Sequence, residues 1–339
     1  MYLIYKIVNS KKYYYLEEKI DNKTISTFIG PEKIKDINKF KEIFKKHRLN
    51  ITLKKINKIQ KHKKINNLSL TQLIELEKLK YNLSIFNKYF KDSYNQFNED
   101  EYIRYAQGSA SIEGNSINLQ EATLIIKENL ATSGKTINEI KEIQNLKETK
   151  KIIDKLPEIT EKLIKEIHSK IMDGFKDKKP GKYRHIPIYV TGSEIKRPDY
   201  KDVPKKVKEL ISWYNKNKDI MHPIELTSIF HIWFENIHPF MDGNGRVGRE
   251  LLNLILLKNN YPRVIINLKN RPQYISILEN VQFIGKKAYV EFSQFINNLL
   301  IERGTIIEKD IENNIEIIFN KIKKWLPTTK VNIFYSFIL

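Results

Sequence analysis

Residues 246–258 are apolar almost all the way round a helix, and a helix without a polar face has to be buried. Just upstream, Leu226, Ile229, Phe230, Trp233 and Ile237 recur at helical spacing and form one apolar stripe. One buried helix and one striped helix therefore flank a short polar segment, 238–245. The expectation is a mainly α fold built around that pair, with the polar segment held between two rigid elements.

The rest of the chain supports that class. Residues 2–8, 12–19 and 24–29 are short aromatic or β-branched runs separated by Asn9-Ser10-Lys11 and Asp21-Asn22-Lys23, which predicts a small antiparallel meander ended by Gly30-Pro31. Residues 32–66 carry Ile and Phe at helix-like spacing among many lysines. From about 70 to 180 the pattern is helical, with breaks at 113–115, 133–134 and 156–157. Ile186, Ile188 and Val190 alternate before Thr191-Gly192-Ser193, which predicts a β-hairpin over 184–200. Residues 286–325 are helical again, and the apolar tail 331–339 has no assigned role.

The chain has 339 residues and a formal net charge of +20. Residues 1–66 hold 18 Lys and Arg against 6 Asp and Glu, so +12 of that charge lies there. Two readings stand: a segment that binds nucleic acid, or the Lys-, Ile- and Asn-rich usage of the whole chain. Cysteine is absent, which excludes disulfides and thiolate catalysis. No apolar run is long enough for a transmembrane helix and the start lacks the regions of a signal peptide. A cytoplasmic protein without a membrane partner is the expectation; a homo-oligomer is left open.

The polar segment and the turn after it read His-Pro-Phe-Met-Asp-Gly-Asn-Gly-Arg-Val-Gly-Arg from His238 to Arg249. A histidine at a helix end can take a proton from a hydroxyl near neutral pH. Asp242 is a hard oxygen ligand suited to Mg²⁺, which takes one or two carboxylates and completes its shell with phosphates. Gly243, Asn244 and Gly245 allow a tight turn at a helix N-terminus, where backbone N–H groups favour anions. Arg246 and Arg249 share a helix face and can each fork onto phosphate oxygens. Each feature alone is usually structural; together they point to attack of a hydroxyl on a nucleotide phosphate.

His238, Phe240, Asp242, Gly243, Asn244, Gly245, Arg246 and Arg249 resemble the full signature of the Fic family. The resemblance covers roughly residues 67–305. It implies an all-α core with a β-hairpin flap and, usually, transfer of AMP from ATP to a protein hydroxyl. On that pattern His238 is the base, Asp242 holds Mg²⁺, residues 243–245 cradle the phosphates, and Arg246 and Arg249 bind the outer phosphates. Phe240 would anchor the loop in the core. Residues 184–200 take the flap position, where a hairpin edge can hold a target segment bearing a Tyr, Ser or Thr hydroxyl, or can be purely structural. Asn253 either touches the nucleoside or packs.

Ser109-Ala110-Ser111-Ile112-Glu113-Gly114 resembles the inhibitory motif of the same family, with Ser109, Glu113 and Gly114 at its defining positions. The alternative is an ordinary helix end at Gly114. Gly134-Lys135-Thr136 looks like the end of a phosphate-binding P-loop, but Asn129 stands where that motif needs glycine, so it reads as a loop between helices. The resulting organisation is a basic β-meander and helical segment at 1–66, a Fic core at 67–305 with an inhibitory helix near 100–114, and a C-terminal helix and tail at 306–339. The leading function is an autoinhibited AMP-transferase. Removal of AMP, transfer of another phosphate-containing group, and a nucleic-acid-associated regulator remain as alternatives.

Overall fold

The three runs at the start of the chain form strands, and most of the described residues that follow are helical. The computed structural model describes residues 1–20, 22–189, 195–323 and 331–332. In chain order its elements are β1 (Tyr2–Val8), β2 (Lys11–Ile20), β3 (Lys23–Gly30), α1 (Ile37–His62), α2 (Leu70–Tyr89), α3 (Lys91–Ile112), α4 (Leu119–Thr123), α5 (Ile137–Ile153), α6 (Glu161–Ile171), α7 (Val203–Asn217), α8 (Pro223–Ile237), α9 (Asn244–Lys258), α10 (Arg271–Ile284), α11 (Lys286–Asn313), α12 (Ile315–Lys323) and β4 (Val331–Asn332). No helix among the described residues is long and apolar enough to cross a membrane.

The chain divides into two compact units that do not follow its linear order. One comprises residues 1–61, 70–94 and 301–339; the other comprises 62–69 and 95–300. The segments read from sequence as N-terminal and C-terminal regions therefore fall in the same unit. In that unit the sheet order is β3-β2-β1-β4, with β1–β2 and β2–β3 antiparallel and β4 parallel to β1 through Lys6↔Val331. Phe40 of α1 stacks on Phe319 of α12 with ring centroids 4.8 Å apart. Leu3, Leu16, Phe44, Leu76 and Ile318 complete the same apolar interior. The tail beyond residue 332 lies outside the described residues.

The second unit is the helical core anticipated from 226–258. Leu146, Ile164, Ile167, Leu210, Phe230, Phe234, Leu251, Leu254 and Ile255 are all fully buried in it. Each such side chain contributes on the order of 1.5–3 kcal/mol by leaving water. Helix α9 is buried from Arg246 to Leu256, as its unbroken apolar composition requires. Helix starts are set by side chains: Thr136 and Glu139 form a reciprocal cap on α5, and Thr160 caps α6. The Gly134-Lys135-Thr136 segment is thus a helix entry and not a phosphate loop. Residues 184–189 and 195–200, the arms of the expected flap hairpin, belong to no strand; its turn, 190–194, lies outside the described residues.

Candidate active site

Helix α8 delivers His238. The helix ends at Ile237, and His238 closes it in the left-handed region at φ 48°, with its N–H on the Phe234 carbonyl at 3.0 Å. A non-glycine residue resists that conformation by roughly 1–2 kcal/mol, so the surroundings must hold it. Arg184 does so from the flap arm: its Nε donates to the His238 carbonyl at 2.9 Å, its Nη2 to Pro198 O at 2.6 Å, and its backbone N–H to Pro239 O at 2.9 Å. On the imidazole, Nδ1 is the buried nitrogen. Burial, reinforced by the Arg197 charge, pushes the His238 pKa down to about 4, leaving a neutral ring over the physiological range.

The loop after His238 is shaped from inside. Phe240 is fully buried and stacks on the His168 ring, with centroids 3.7 Å apart and planes 5° from parallel. His168 accepts from Gly181 N–H through Nδ1 at 2.9 Å, which leaves Nε2–H to donate to the Asp242 carbonyl at 3.1 Å. Burial holds that ring neutral, with a pKa down to about 4. Asn244 closes the loop with both halves of its amide on the Phe240 backbone, each at 2.9 Å. Its side chain therefore shapes the loop from inside. Gly243 sits at φ 75°, and a Cβ there would lie 2.7 Å from Met172 Sδ.

Asp242 stands at the mouth with its side chain 41% exposed. Its Oδ1 accepts from Gly243 N–H at 2.6 Å and from Arg246 Nη2 at 3.3 Å, and Lys178 Nζ is 3.7 Å from Oδ2. Among the described residues no group of three or more His, Cys, Asp and Glu side chains is placed to hold a metal ion. A cation bound by Asp242 would thus need oxygens from a ligand such as a polyphosphate.

Both motif arginines are buried at the start of α9, and both face carboxylates. Arg246 Nη1 donates to Glu142 Oε1 at 2.8 Å. Arg249 Nη2 donates to Glu113 Oε1 at 2.7 Å and to the Ser109 carbonyl at 2.9 Å, while its Nε donates to Ser109 Oγ at 2.9 Å. Burial disfavours the Glu113 charge, but the Arg249 charge and hydrogen bond outweigh it and hold the carboxyl below its ordinary value. A Cβ at Gly245 would lie 2.5 Å from Glu113 Oε1 and 2.8 Å from Arg249 Nη1. The Glu113 carboxylate therefore rests directly against the first turn of α9, where an anion is favoured.

Behind the arginines lies a second, closed layer. His231 Nδ1 meets the Gly248 carbonyl at 3.1 Å and Nε2 meets Tyr274 OH at 2.9 Å. Glu235 is enclosed, and burial pushes its pKa up to about 7 against the pull of Arg249. Asn253 is buried, and its amide donates to Val264 O at 3.2 Å and accepts from Val264 N–H at 2.8 Å.

His238, Asp242, residues 243–245, Arg246, Arg249, Ser109, Glu113 and Gly114 thus converge on one site. Residues 158–256, which contain the whole 238–249 segment, match the family model described as Fic/DOC. This chain carries a Fic domain. It is 32% identical over 200 residues to the protein adenylyltransferase Fic of Nematostella vectensis, covering 57% of this chain and 46% of that protein. To the protein of the same name from Aedes aegypti it is 33% identical, covering 57% and 40%. The chain therefore spans less than half the length of these relatives. The fold matches a Fic-domain signaling protein from Bacteroides thetaiotaomicron, with TM-score 0.65, 21% identity and coverage of 70% of this chain and 97% of that one. It also matches Fic-1 (aa134–508) from C. elegans, with TM-score 0.61, 21% identity and coverage of 81% and 78%.

Sequence reading missed His168, Glu142 and Arg184 as parts of the Fic site. The first two carry no local signal, being single polar residues on otherwise ordinary helices. Arg184 did carry one: the chain has only 9 Arg among 60 basic residues.

Proposed function

We propose that this chain is an autoinhibited protein AMP-transferase that moves AMP from ATP to a hydroxyl side chain of a target protein. The observation that carries the reading is the Glu113–Arg249 pair: a carboxylate occupies the anion-favouring start of α9 and engages the arginine that would otherwise grip a terminal phosphate. The relatives named protein adenylyltransferase support the same chemistry.

In the reaction the hydroxyl oxygen of a target Tyr, Ser or Thr bonds to the α-phosphorus. The α–β bridging P–O bond breaks, pyrophosphate leaves, and the hydroxyl proton passes to Nε2 of neutral His238. Gly243, Gly245 and the start of α9 present backbone N–H groups to the phosphates, and Arg246 and Arg249 bind the outer ones. Asp242, exposed at the mouth with a single carboxylate, fits Mg²⁺ shared with a polyphosphate. When bound, that ion supplies charge neutralisation on the phosphate oxygens. On the flap arm, Ile186 is 45% and Tyr189 96% exposed, apolar surface suited to an extended target segment.

The test uses ATP labelled at the α- or γ-phosphate, with wild type and Glu113→Gly. Protein labelled from the α-phosphate is the expected result; label only from the γ-phosphate would replace this reading with a kinase-like one. Release of AMP from a pre-modified target by wild type, with no forward transfer by either protein, would favour removal of AMP.

A second reading, binding of single-stranded nucleic acid, is favoured by one face of the N-terminal sheet. Register places Ile4, Lys6, Tyr13, Tyr15 and Phe28 on the same side. The Tyr15 and Phe28 rings are 5.5 Å apart, Tyr13 and Phe28 are 6.1 Å apart, and Lys6 Nζ lies 4.6 Å from the Tyr15 centroid. Such faces stack bases, each worth about 1–3 kcal/mol. Oligonucleotide binding that weakens with salt and again in Phe28→Ala supports it; binding indifferent to Phe28→Ala reduces it to unspecific charge.

A further inference from the structure

We propose that the inhibitory turn acts on both phosphate-binding arginines: Glu113 engages Arg249 directly, and Asn115 positions Arg246 through Glu142. This rests on the reading of Arg246 as a phosphate ligand and extends it to two residues outside the signature.

Glu142 lies on α5, and its two carboxylate oxygens have different partners. Oε1 accepts from Arg246 Nη1 at 2.8 Å, and Oε2 accepts from Asn115 Nδ2 at 2.9 Å. Asn115 follows Glu113-Gly114 directly. Its Nδ2 also donates to the Glu139 carbonyl at 3.0 Å, its Oδ1 accepts from Ile117 N–H at 3.0 Å, and its own N–H reaches Ala110 O at 3.2 Å. The next residue is gripped by the same helix start: Glu139 Oε1 accepts from Ser116 N–H at 2.9 Å and Ser116 Oγ at 2.6 Å. The turn and the N-terminal part of α5 are therefore one hydrogen-bonded body, and Glu142 is its contact with the α9 arginine.

A guanidinium binds phosphate well only when its fork is aimed, and an arginine stem does not fix that aim by itself. Arg246 is 4% exposed, and its Nε is buried without a partner among the described residues. Glu142 on Nη1, together with Asp242 on Nη2 at 3.3 Å, sets the rotation of the plane, and Asn115 sets the rotation of Glu142. Glu142 and Asn115 touch no reacting atom, so both are positioning residues. The same turn thus withholds Arg249 through Glu113 while keeping Arg246 aimed through Asn115.

The test is made in full-length Glu113→Gly, where Arg249 is released and Asn115 can act only through Glu142. Calorimetry gives the Kd of ATP with Mg²⁺ for this parent and for Asn115→Ala, Glu142→Ala, their combination and Glu142→Gln. Losing the closer of the two carboxylates on Arg246 should weaken ATP binding ~10-fold in Glu142→Ala. Asn115→Ala should weaken it less, and the combination should be no weaker than Glu142→Ala alone, since the two act in series. Glu142→Gln keeps the shape and one acceptor for Arg246, so it should recover part of the loss; it also carries the test if Glu142→Ala does not fold. Unchanged ATP affinity in both Glu142 variants, or losses that multiply in the combination, would overturn the proposal. If the binding pattern holds while Glu113→Gly transfers no label from α-labelled ATP, the AMP-transfer reading fails and the positioning role stands.

Discussion

Burial and the Arg197 charge set the protonation of His238. With Nδ1 inside and the pKa down to about 4, the ring is neutral wherever the fold is intact near pH 7. The acid limb of kcat/KM should therefore fall near pH 4 and not through 6.5, since this profile reports the free enzyme. His238→Ala should keep the fold and lower transfer by ~10²–10⁴-fold; near-normal rates in a folded variant would remove it as base. Asp242 is the loop's sole carboxylate, so Asp242→Asn should raise the Mg²⁺ concentration needed for half-maximal transfer. Full activity of that variant at limiting Mg²⁺ would assign the ion elsewhere.

At the scale of elements, the proposed control lies in the turn that ends α3. On that proposal the Arg–carboxylate contact at 2.7 Å withholds Arg249 from a phosphate, and a displacement of about 1 Å at the α-phosphate can cost ~10²-fold in rate. Glu113→Gly should raise transfer, self-modification included, by one to several orders of magnitude, each tenfold corresponding to about 1.4 kcal/mol. Arg249→Ala should not copy that gain, and the double variant should behave like Arg249→Ala. Initial rates of the four proteins at matched ATP and Mg²⁺ decide it: a Glu113→Gly no faster than wild type ends the autoinhibition argument. What the sequence made legible follows from local chemistry. Alternating aromatic runs defined β1 to β3, and an all-round apolar run defined α9. The flap was read from Ile186, Ile188 and Val190, but its described arms belong to no strand. Pro187 and Pro198 have no N–H for a ladder, and Arg184 ties its arm to the catalytic loop. Glu142 and His168 stayed hidden because their roles depend on partners about 100 and 74 residues away.

For the whole molecule, buried histidines, three of them at the site, weaken stability in acid. Burial lowers the pKa of His47, His168 and His238 to about 4 and of His231 to about 3. Below the unfolded value near 6.5 the unfolded chain binds more protons at these four positions, so folding weakens as pH falls. Each contributes about 1.4 kcal/mol per pH unit. Glu235, raised to about 7, opposes them, because its neutral form favours the fold below the unfolded value of 4.5 and that gain is lost as pH rises through 7. Glu250, also raised by burial, acts the same way as Glu235, but the four histidines outnumber the two carboxyls, so the melting temperature should drop between pH 7 and 5; a flat profile would show that the rings are not buried neutral.

Domain limits were not legible in linear order, because residues 1–61, 70–94 and 301–339 form one unit. A cut at residue 66 would strand the apolar residues of α2 and α12. The scarcity of arginine has a chemical consequence. Dicarbonyl reagents modify guanidinium groups and spare ammonium, so a chain with nine arginines offers them few targets. Arg249 is only 2% exposed behind Glu113. Its modification rate, followed by peptide mass mapping against the exposed Arg104 as an internal clock, would then count how often the turn lets go.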